Sequence, residues 1–419
     1  MSSVFVPDQI VAGKNNQISR LDLGMRSHYA ILLAWSFDAI GGVNGVVRNL
    51  LLEFQTNEQL APLGIDISGS VAGCVPASPD QPWPLLHTGP ISTWNPNRPW
   101  RTIIAFCVKG PAILWRLRSI CRRHSIAVLN PHFIGLEYFP LLILRKLRWF
   151  RGQLILSFHG SDIRSMMQSR GIERCLSKIL LRGADQLVAC SEGLRDEILY
   201  FVPECASRTV AIANGINARA FLSQAISTFP LPERFVNRKI ILTIGAHEYK
   251  KGHDVLLRAF AIVKARHPET ALVIVGQRNS AEVVHLGDEL GLRDEMLALE
   301  NIPHAEIAAL MRRADLFVLS SRWERGICGE GFAMALLEAA AAEKQVVSTL
   351  TCGAAELLQD GRNGRLVPPN DPCALADAII WMFENSQDAL AMARRLHERV
   401  VTQFTWERTY AGYLRMLSM

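Results

Sequence analysis

Short runs of apolar residues alternate with longer segments of helical periodicity along most of this chain. Apolar runs of about four to eight residues between turn-forming residues are typical of buried strands. Strands that alternate with helices in this way favour an α/β fold with parallel sheets. The predicted strands are residues 28–36, 126–130, 154–158, 186–189, 209–212, 239–245, 272–275, 296–299, 316–319 and 346–349.

The alternation occurs in two series, with a segment of no clear periodicity between them. A chain of 419 residues exceeds one typical core, so two domains are expected. The segment between the series contains Pro230 and Pro232, which is typical of a linker. The predicted units are a polar tail, 1–27; a first domain, 28–222; a linker, 223–237; a second domain, 238–404; and a final amphipathic helix, 405–419.

Composition restricts the class of protein further. Hydrophobic residues make up 49% of the chain and charged residues 20%, as in globular rather than disordered proteins. The nine cysteines include no Cys-x-x-Cys pair, so we interpret them as buried hydrophobes of a reducing cytoplasm. Residues 1–27 lack the apolar core of a secretory signal, and a cytoplasmic location is predicted.

Positive charge is concentrated in one part of the first domain. Residues 98–152 contain eleven Lys or Arg and one acid, Glu137, a balance of +10 against +6 for the whole chain. Aromatic and aliphatic residues are interleaved with these cations, most densely in 138–151. A basic amphipathic face on an anionic membrane fits this pattern better than nucleic acid, for which no binding motif is present. An ordinary solvated face is the alternative.

Two glutamates that follow the predicted strand 316–319 carry the clearest chemical signal. Gly329 breaks the chain, and from Phe332 onward the residues are strong helix formers. This pattern predicts Glu330 at a helix mouth and Glu338 two turns further in, about 12 Å away along the axis. The start of a helix offers free N–H groups and a positive dipole end to a diphosphate. The carboxylates would then hydrogen-bond a sugar on one side of it and a ribose on the other.

The motifs after that strand occur in a recognisable order. They are Glu330-Gly331-Phe332, the second glutamate Glu338, Gln345-Val-Val-Ser-Thr, Gly353-Ala-Ala-Glu356, and Gly361-Arg-Asn-Gly364 through Asp371. In this order and spacing they resemble the donor-binding block of the retaining GT-B glycosyltransferases, the glycosyl transferases group 1 family. The resemblance implies two Rossmann-like parallel-sheet domains that face a central cleft. It also implies a nucleotide-sugar site in the second domain and a final helix that crosses back to the first, acceptor-side domain.

The resemblance also implies roles for single residues. Lys251 would neutralise the leaving diphosphate, His159 would reach the donor sugar across the cleft, and Glu330 would complete the catalytic group. Gly41 and Gly42 follow the first strand, where a backbone without Cβ atoms can approach a ligand closely. The implied substrate-binding residues are Gly41, Gly42, Lys251, Gly331, Phe332 and Glu338.

This chain departs from the family pattern at two places. Ala246 stands where relatives commonly have an arginine, so one expected phosphate cation is missing. Either His247 or Arg322 replaces it, or the affinity for the donor is reduced. An insert, 323–329, precedes Glu330 and is predicted to form part of the donor-sugar rim.

Two other residues compete with these assignments. The insert makes Glu324 a competitor for the role of first glutamate, but the spacing to Glu338 favours Glu330. Ser191 lies in a strand–turn–helix context that a serine hydrolase nucleophile could occupy. A helix cap is the simpler interpretation of this serine.

The expected reaction is retaining transfer of a sugar from a UDP- or GDP-sugar to an acceptor hydroxyl, without a metal or other cofactor. The expected acceptor is a glycan or lipid-linked intermediate of cell-surface polysaccharide synthesis, met at the inner face of the membrane. Two alternatives stay open: a non-catalytic subunit of the same fold, which Ala246 favours, and the same enzyme class with a soluble acceptor. No nucleic acid partner is expected.

Overall fold

The computed structural model describes residues 26–39, 41–69, 72–95, 97–223, 228–277 and 279–417. Nearly all of the predicted tail 1–27 therefore lies outside the described residues, as does part of the predicted linker, 224–227. Within the described ranges the strands form two separate sheets, one of eight strands and one of six. The predicted α/β fold with two parallel sheets is confirmed.

The first sheet has the strand order β3-β4-β2-β1-β5-β6-β7-β8, and its pairs are parallel except for β3 with β4. Its strands are β1 (Ser27–Leu33), β2 (Leu60–Asp66), β3 (Gly73–Val75), β4 (Leu85–His87), β5 (Ile126–Pro131), β6 (Gln153–Phe158), β7 (Gln186–Ala189) and β8 (Thr209–Ala211). Its helices are α1 (Gly42–Phe54), α2 (Pro99–Arg123), α3 (Phe139–Lys146), α4 (Ser161–Gln168), α5 (Gly171–Gly183), α6 (Glu192–Phe201) and α7 (Ala218–Ser223).

The second sheet has the order β11-β10-β9-β12-β13-β14, and all its pairs are parallel. Its strands are β9 (Lys239–Ile244), β10 (Thr270–Gly276), β11 (Met296–Glu300), β12 (Leu316–Leu319), β13 (Gln345–Thr349) and β14 (Arg365–Val367). The helices that follow are α8 (His253–Arg266), α9 (Ala281–Glu289), α10 (His304–Arg313), α11 (Met334–Ala341), α12 (Cys352–Leu357), α13 (Pro372–Glu384), α14 (Ser386–Gln403) and α15 (Trp406–Leu417).

Burial explains why the central strands were recognisable in the sequence. All seven residues of β10 are buried, as are six of the seven residues of β1. Helices cover both faces of a parallel sheet, so its inner strands become continuous apolar runs. Four strands were missed. Three of these, β3, β4 and β14, have only three residues each.

The fourth missed strand, β2, contains Pro62 and Gly64, which argue against a strand in a sequence pattern. The sheet tolerates the proline because β4 pairs with β2 only from Gly64 to Asp66. Pro62 therefore lies beyond the ladder with β4. A Cβ at Gly64 would lie 2.9 Å from Leu85, so the glycine admits β4 and its side chains.

The last helix, α15, packs on the first domain. Tyr413 forms a 3.0 Å hydrogen bond with the hydroxyl of Ser157 in β6. Asn57, just after α1, donates to the hydroxyl of Tyr410 at 2.9 Å. The chain reaches this position through a tight crossing, where the N–H of Ile216 donates to the carbonyl oxygen of Phe404 at 2.8 Å.

Gly215 tests how tight this crossing is. A Cβ there would lie 2.4 Å from the carbonyl carbon of Thr405 and from the nitrogen of Trp406. Both are backbone atoms that cannot rotate away, so we expect Gly215→Ala to destabilise the protein by about 1–3 kcal/mol. Denaturant unfolding followed by circular dichroism measures this.

The matched control is Gly45→Ala inside α1, where a Cβ would meet nothing within 4 Å. Alanine costs less backbone entropy than glycine in a helix, so this variant should be stabilised by about 0.5–1 kcal/mol. Equal stability of the Gly215→Ala variant and the parent would mean that the crossing is looser than described.

Candidate functional site

The carboxyl ends of four strands bring the predicted site residues to one region. Gly41 and Gly42 come after β1, His159 after β6, Lys251 after β9 and Glu330 after β12. In open parallel sheets this edge is where ligands bind. Gly42 shows how close the two domains come, because a Cβ there would lie 3.7 Å from the Cγ of Met334. The first residues of α1 and α11 therefore approach each other across the cleft.

The helix that follows Glu330 starts later than predicted. α11 begins at Met334, with Ala333 as its N-cap residue and no side-chain cap. Glu330 therefore precedes the helix, and Glu338 lies one turn inside it rather than two. The predicted separation along a helix axis is wrong for this reason. The cause is local: Gly329 has a φ of 141°, so the chain turns before it can become helical.

Glu330 is held by two neighbours. Its Oε1 accepts a hydrogen bond from Nζ of Lys251 at 2.6 Å and a second from the hydroxyl of Ser321. Burial acts to raise the pKa of Glu330, but the charge and hydrogen bond of Lys251 and the Ser321 hydroxyl outweigh it and lower that pKa. Glu330 is therefore ionised at neutral pH. The competitor Glu324 is exposed on a turn.

Glu338 has a partner that the sequence did not suggest. Nε2 of His304, the first residue of α10, lies 3.0 Å from Oε1 of Glu338. This hydrogen bond raises the pKa of His304 above its ordinary value, although partial burial opposes the shift. The side chain of Glu338 is only 14% exposed, so His304 fixes where its carboxylate points.

His159 and Gly160 form the wall of the cleft on the first domain. Their backbone N–H groups donate to the carboxylate of Asp162 at 3.0 and 2.8 Å. Gly160 has a φ of 120°, which favours glycine. Asp162 thus shapes the turn that presents His159. On the inner side, Nε2 of His159 lies 3.1 Å from Nδ1 of His132.

Gly331 and Phe332 make contacts within the protein. A Cβ at Gly331 would lie 2.4 Å from the carbonyl oxygen of His159, so this glycine is in backbone contact with the first domain. The ring of Phe332 is buried at 8% exposure and lies 6.1 Å from the ring of Phe404. The backbone of Phe332 is therefore the part that is placed to face a ligand, and its substrate-binding role stays a prediction.

Arg322 and His247, the candidates to replace the missing arginine, differ in charge and in pairing. Arg322 makes a bidentate pair with Asp254 at 2.9 and 2.6 Å, and its guanidinium lies 4.0 Å from the ring centre of Tyr249. Burial lowers the pKa of His247, so this imidazole is neutral. His247 is thus uncharged and Arg322 is already paired, which favours the alternative of reduced donor affinity; compensation by either side chain stays a prediction.

The insert 323–329, predicted to form part of the donor-sugar rim, packs against the first domain. The indole N–H of Trp323 donates to Glu197 of α6 at 3.0 Å. Arg164 of α4 donates to the carbonyl oxygen of Gly329 at 2.6 Å. These contacts join the two domains rather than surround an open rim.

A buried ion pair underlies this contact. Arg164 and Glu197 are joined by two hydrogen bonds, of 2.9 and 2.8 Å, and their side chains are 2% and 1% exposed. The thiol of Cys352 lies 3.4 Å from Glu197. Removing one partner of an ion pair buried this deeply leaves the other charge unpaired and strongly destabilises the protein.

Sequence reasoning missed several of these residues for different reasons. His132 and Ser321 follow predicted strands, so the strand-end rule could have found them. Arg164 and Glu197 lie on different helices, and no spacing in a single sequence connects them. Ser191 was correctly interpreted as a cap, since it accepts from the N–H of Leu194; its hydroxyl also donates to the carbonyl oxygen of Gly331 at 2.8 Å.

The basic stretch is only partly a surface. Tyr138, Leu141, Leu142, Leu144 and Phe150 are all buried, so these five side chains are domain core and cannot enter a membrane. Within 98–152, Leu147 and Trp149 after α3 are exposed, and four more strongly exposed apolar side chains lie on α2. Their exposed fractions are Trp100 69%, Ile104 66%, Val108 77% and Trp115 67%.

These four positions of α2 share one face of the helix, because their spacings are multiples of about one turn. Nearby, at the amino ends of β6 and β7, a cavity of about 770 Å³ opens. Six cationic residues and one acid, Asp185, line it: Arg145, Lys146, Arg148, Arg151, Arg182 and Arg208. No helix in the described ranges is long and apolar enough to cross a bilayer.

Comparison with known families and proteins agrees with this geometry. Residues 229–399 match the family described as "Glycosyl transferases group 1", and residues 40–219 match "Glycosyltransferase Family 4". A phosphatidyl-myo-inositol mannosyltransferase of Mycolicibacterium smegmatis is 28% identical over 392 residues, 91% of each chain. A glycogen synthase of Mycobacterium tuberculosis is 31% identical over 234 residues, 54% of this chain and 52% of that protein. The chain thus spans about half the length of the glycogen synthase that it matches.

Solved structures show the same fold. Sucrose-phosphate synthase from Thermosynechococcus elongatus superposes with a TM-score of 0.72 at 20% identity, covering 93% of this chain and 98% of that one. The Anabaena protein HepE, in complex with UDP and glucose, gives a TM-score of 0.71 at 17% identity, covering 93% and 99%. The predicted GT-B architecture is confirmed.

The buried pair of Arg164 and Glu197 yields a stability test. Glu197→Gln keeps the size of the side chain but leaves the Arg164 charge unpaired, so a loss of about 3–5 kcal/mol is expected. Chemical denaturation of the full chain measures it. Glu192→Gln, on the same helix, is the control: Glu192 pairs with Arg195 at 66% exposure, and exposed pairs contribute only about 0–1 kcal/mol. Equal effects of the two substitutions would contradict the assigned role of Glu197.

Proposed function

Because this chain belongs to the glycosyl transferases group 1 family, we propose that it transfers a sugar, with retention of configuration, from a nucleoside diphosphate donor to an acceptor hydroxyl. The observation that carries the proposal is the convergence of Lys251, Glu330 and the start of α11 with the His159–Gly160 turn. A cation, an ionised carboxylate and free backbone N–H groups lie together at one cleft edge. A nucleoside diphosphate sugar needs this set of groups.

Each group has a distinct proposed task. The N–H groups at the start of α11 and the backbone at Gly41 and Gly42 bind the diphosphate. Lys251 donates one N–H to Glu330, which leaves two for the phosphate oxygens as negative charge develops on the leaving group. Glu330 is ionised, so it accepts hydrogen bonds from the sugar and does not act as a proton donor. Glu338 takes the ribose hydroxyls.

The nucleotide is proposed to be UDP or GDP, and no metal or other cofactor is proposed. Thermal unfolding with a panel of nucleotide sugars tests the donor directly, since a ligand at 100 times its Kd stabilises the folded state by about 2.7 kcal/mol. A transfer assay with the stabilising donor, run with and without a chelator, tests turnover and metal independence together.

A non-catalytic subunit is the second candidate. It is favoured by Ala246 together with the internal pairing of Arg322, because the diphosphate then meets fewer cations than the family pattern provides. A donor that stabilises the protein but is never transferred or hydrolysed would support this candidate over the enzyme.

Two substitutions separate binding from catalysis. We expect Glu338→Ala to weaken binding of the free nucleoside diphosphate by about 1.5–3 kcal/mol, the value of a hydrogen bond to a charged group.

Lys251→Met should lower the transfer rate by roughly 10²–10³, because it removes charge stabilisation from the transition state. Calorimetry and initial rates measure the two effects.

The control for both is Glu324→Ala, which removes a carboxylate from the exposed turn of the insert and should change neither quantity. Unchanged nucleotide affinity in the Glu338→Ala variant would refute the proposal that Glu338 binds the ribose. A Lys251→Met variant with more than half of the parent rate would remove the role of this lysine in the leaving step.

The acceptor is proposed to be lipid-linked or a glycan intermediate, reached from the cytoplasmic face of an anionic membrane. The name of the mannosyltransferase relative indicates a phosphatidylinositol acceptor in that protein, which supports a lipid for this one. The apolar face of α2 (Trp100, Ile104, Val108, Trp115) would enter the headgroup layer, and the cationic cavity beside it would meet phosphates. Lys146, Arg148 and Arg151 have no side-chain partner among the described residues, so they are available for this contact.

We expect Lys146, Arg148 and Arg151 changed together to Gln to release the protein from anionic vesicles at low salt, since each contributes about 1 kcal/mol near the surface. Arg145 is left intact because it pairs with Asp185. Vesicle co-sedimentation measures the release, and nucleotide affinity should stay unchanged.

The control carries the same charge change elsewhere, at the exposed residues Arg219, Arg258 and Arg408. It should sediment like the parent. A parent that ignores anionic vesicles at low salt would overturn the membrane proposal, and a soluble acceptor would replace it.

A further inference from the structure

A chain of hydrogen bonds runs behind His159, through the core of the first domain. The hydroxyl of Tyr413 in α15 lies 3.0 Å from that of Ser157, and the amide of Asn130 donates to Ser157 at 2.9 Å. Oδ1 of Asn130 lies 3.0 Å from Nε2 of His132, whose Nδ1 lies 3.1 Å from Nε2 of His159. Asn130 and His132 are fully buried.

The orientation of Asn130 decides the rest of the chain. Its Nδ2 lies 3.2 Å from the carbonyl oxygen of Ile155, and a carbonyl can only accept a hydrogen bond. The NH₂ group must therefore face Ile155, and the side-chain oxygen must face His132. The hydroxyl of Tyr29 donates to the same oxygen at 2.8 Å. Nε2 of His132 consequently carries a hydrogen.

The proton on His132 then fixes the proton on His159. Burial, together with the nearby His159, holds the pKa of His132 well below its ordinary value, so this ring is neutral and its Nδ1 is bare. A bare nitrogen only accepts, so Nε2 of His159 must be the donor across the 3.1 Å contact. Burial lowers the pKa of His159 too, against the opposing charge of Asp162. Its Nδ1 is left without a proton and without a partner among the described residues.

We propose that Asn130 and His132 are positioning residues that hold His159 in the Nε2–H tautomer, so that Nδ1 of His159 accepts a hydrogen bond from a hydroxyl of the donor sugar. The role of the sugar rests on the proposed function, whereas the tautomer does not. His159 lies beside Gly331 and thus beside Glu330. In this state it acts as a neutral acceptor and supplies neither a proton nor a positive charge.

Nitrogen-15 NMR of histidine-labelled full-length protein tests the tautomer without substrate. At pH 7 the ring of His159, assigned by its loss in His159→Asn, should show a protonated Nε2 and a bare Nδ1. A protonated Nδ1 would overturn the proposal. His132→Phe keeps a ring beside His159, at the present centroid distance of 5.2 Å, but removes the acceptor. Both tautomers of His159 should then coexist, and an unchanged single tautomer would remove the positioning role of His132.

Kinetics test the function of that acceptor. In His132→Phe, KM for the donor sugar should rise roughly 2- to 13-fold, the range for one neutral hydrogen bond, while Kd for the free nucleoside diphosphate stays constant. A merely structural role would change both quantities, and an unchanged KM would remove the sugar contact. Absence of any transfer by the parent would instead refute the proposed function, and the NMR result on the tautomer would stand. If His132→Phe does not fold, the parent spectrum still decides the tautomer.

Discussion

The backbone contact between Gly331 and the His159–Gly160 turn is the constraint on which the site depends. Neither glycine can carry a side chain here: a Cβ at Gly331 would lie 2.4 Å from the carbonyl oxygen of His159, and one at Gly160 would lie 2.7 Å from the nitrogen of Gly331. The two domains therefore meet main chain to main chain. Glu330 directly precedes this contact, so its carboxylate and the His159 ring are brought to the same cleft. The Arg164–Glu197 pair and Trp323, which donates to Glu197, stabilise the same domain contact.

Charges at the cleft are almost all balanced within the protein. Lys251 neutralises Glu330, Arg322 neutralises Asp254, and Arg164 neutralises Glu197. Buried pairs of this kind contribute little net stability, because each ion loses its hydration, but they fix geometry. A diphosphate would therefore find few uncommitted cations and would depend on helix N–H groups and on the remaining hydrogens of Lys251. Ala246 strengthens this dependence, since Arg322 is paired with Asp254.

The sequence allowed the architecture and most strand ends to be predicted, and the failures have physical causes. Continuous apolar runs mark the inner strands because helices cover both faces of the sheets. β2 was missed because a proline argues against a strand. Pro62 is tolerated here since it lies outside the part of β2 that pairs with β4. The late start of α11 follows from the turn at Gly329, which composition does not reveal. The sequence pattern of 138–151 is typical of a membrane-facing surface, but Leu141, Leu142 and Leu144 of α3 are buried in the core of the first domain. The pairing of Arg322 with Asp254 depends on the fold, because the two residues are far apart in the sequence.

The protonation states of the site suggest what kind of molecule it recognises. Glu330 is ionised, and its Oε1 is taken by Lys251 and Ser321, which leaves Oε2 as an acceptor. His159 in the inferred tautomer also presents an acceptor, Nδ1. Acceptors of this kind need a ligand that brings several donors, and a sugar ring with its hydroxyls does so. Lys251 and the N–H groups of α11 supply donors, which match the acceptors of a phosphate. The hydrogen-bonding groups of the site thus match those that a sugar diphosphate offers.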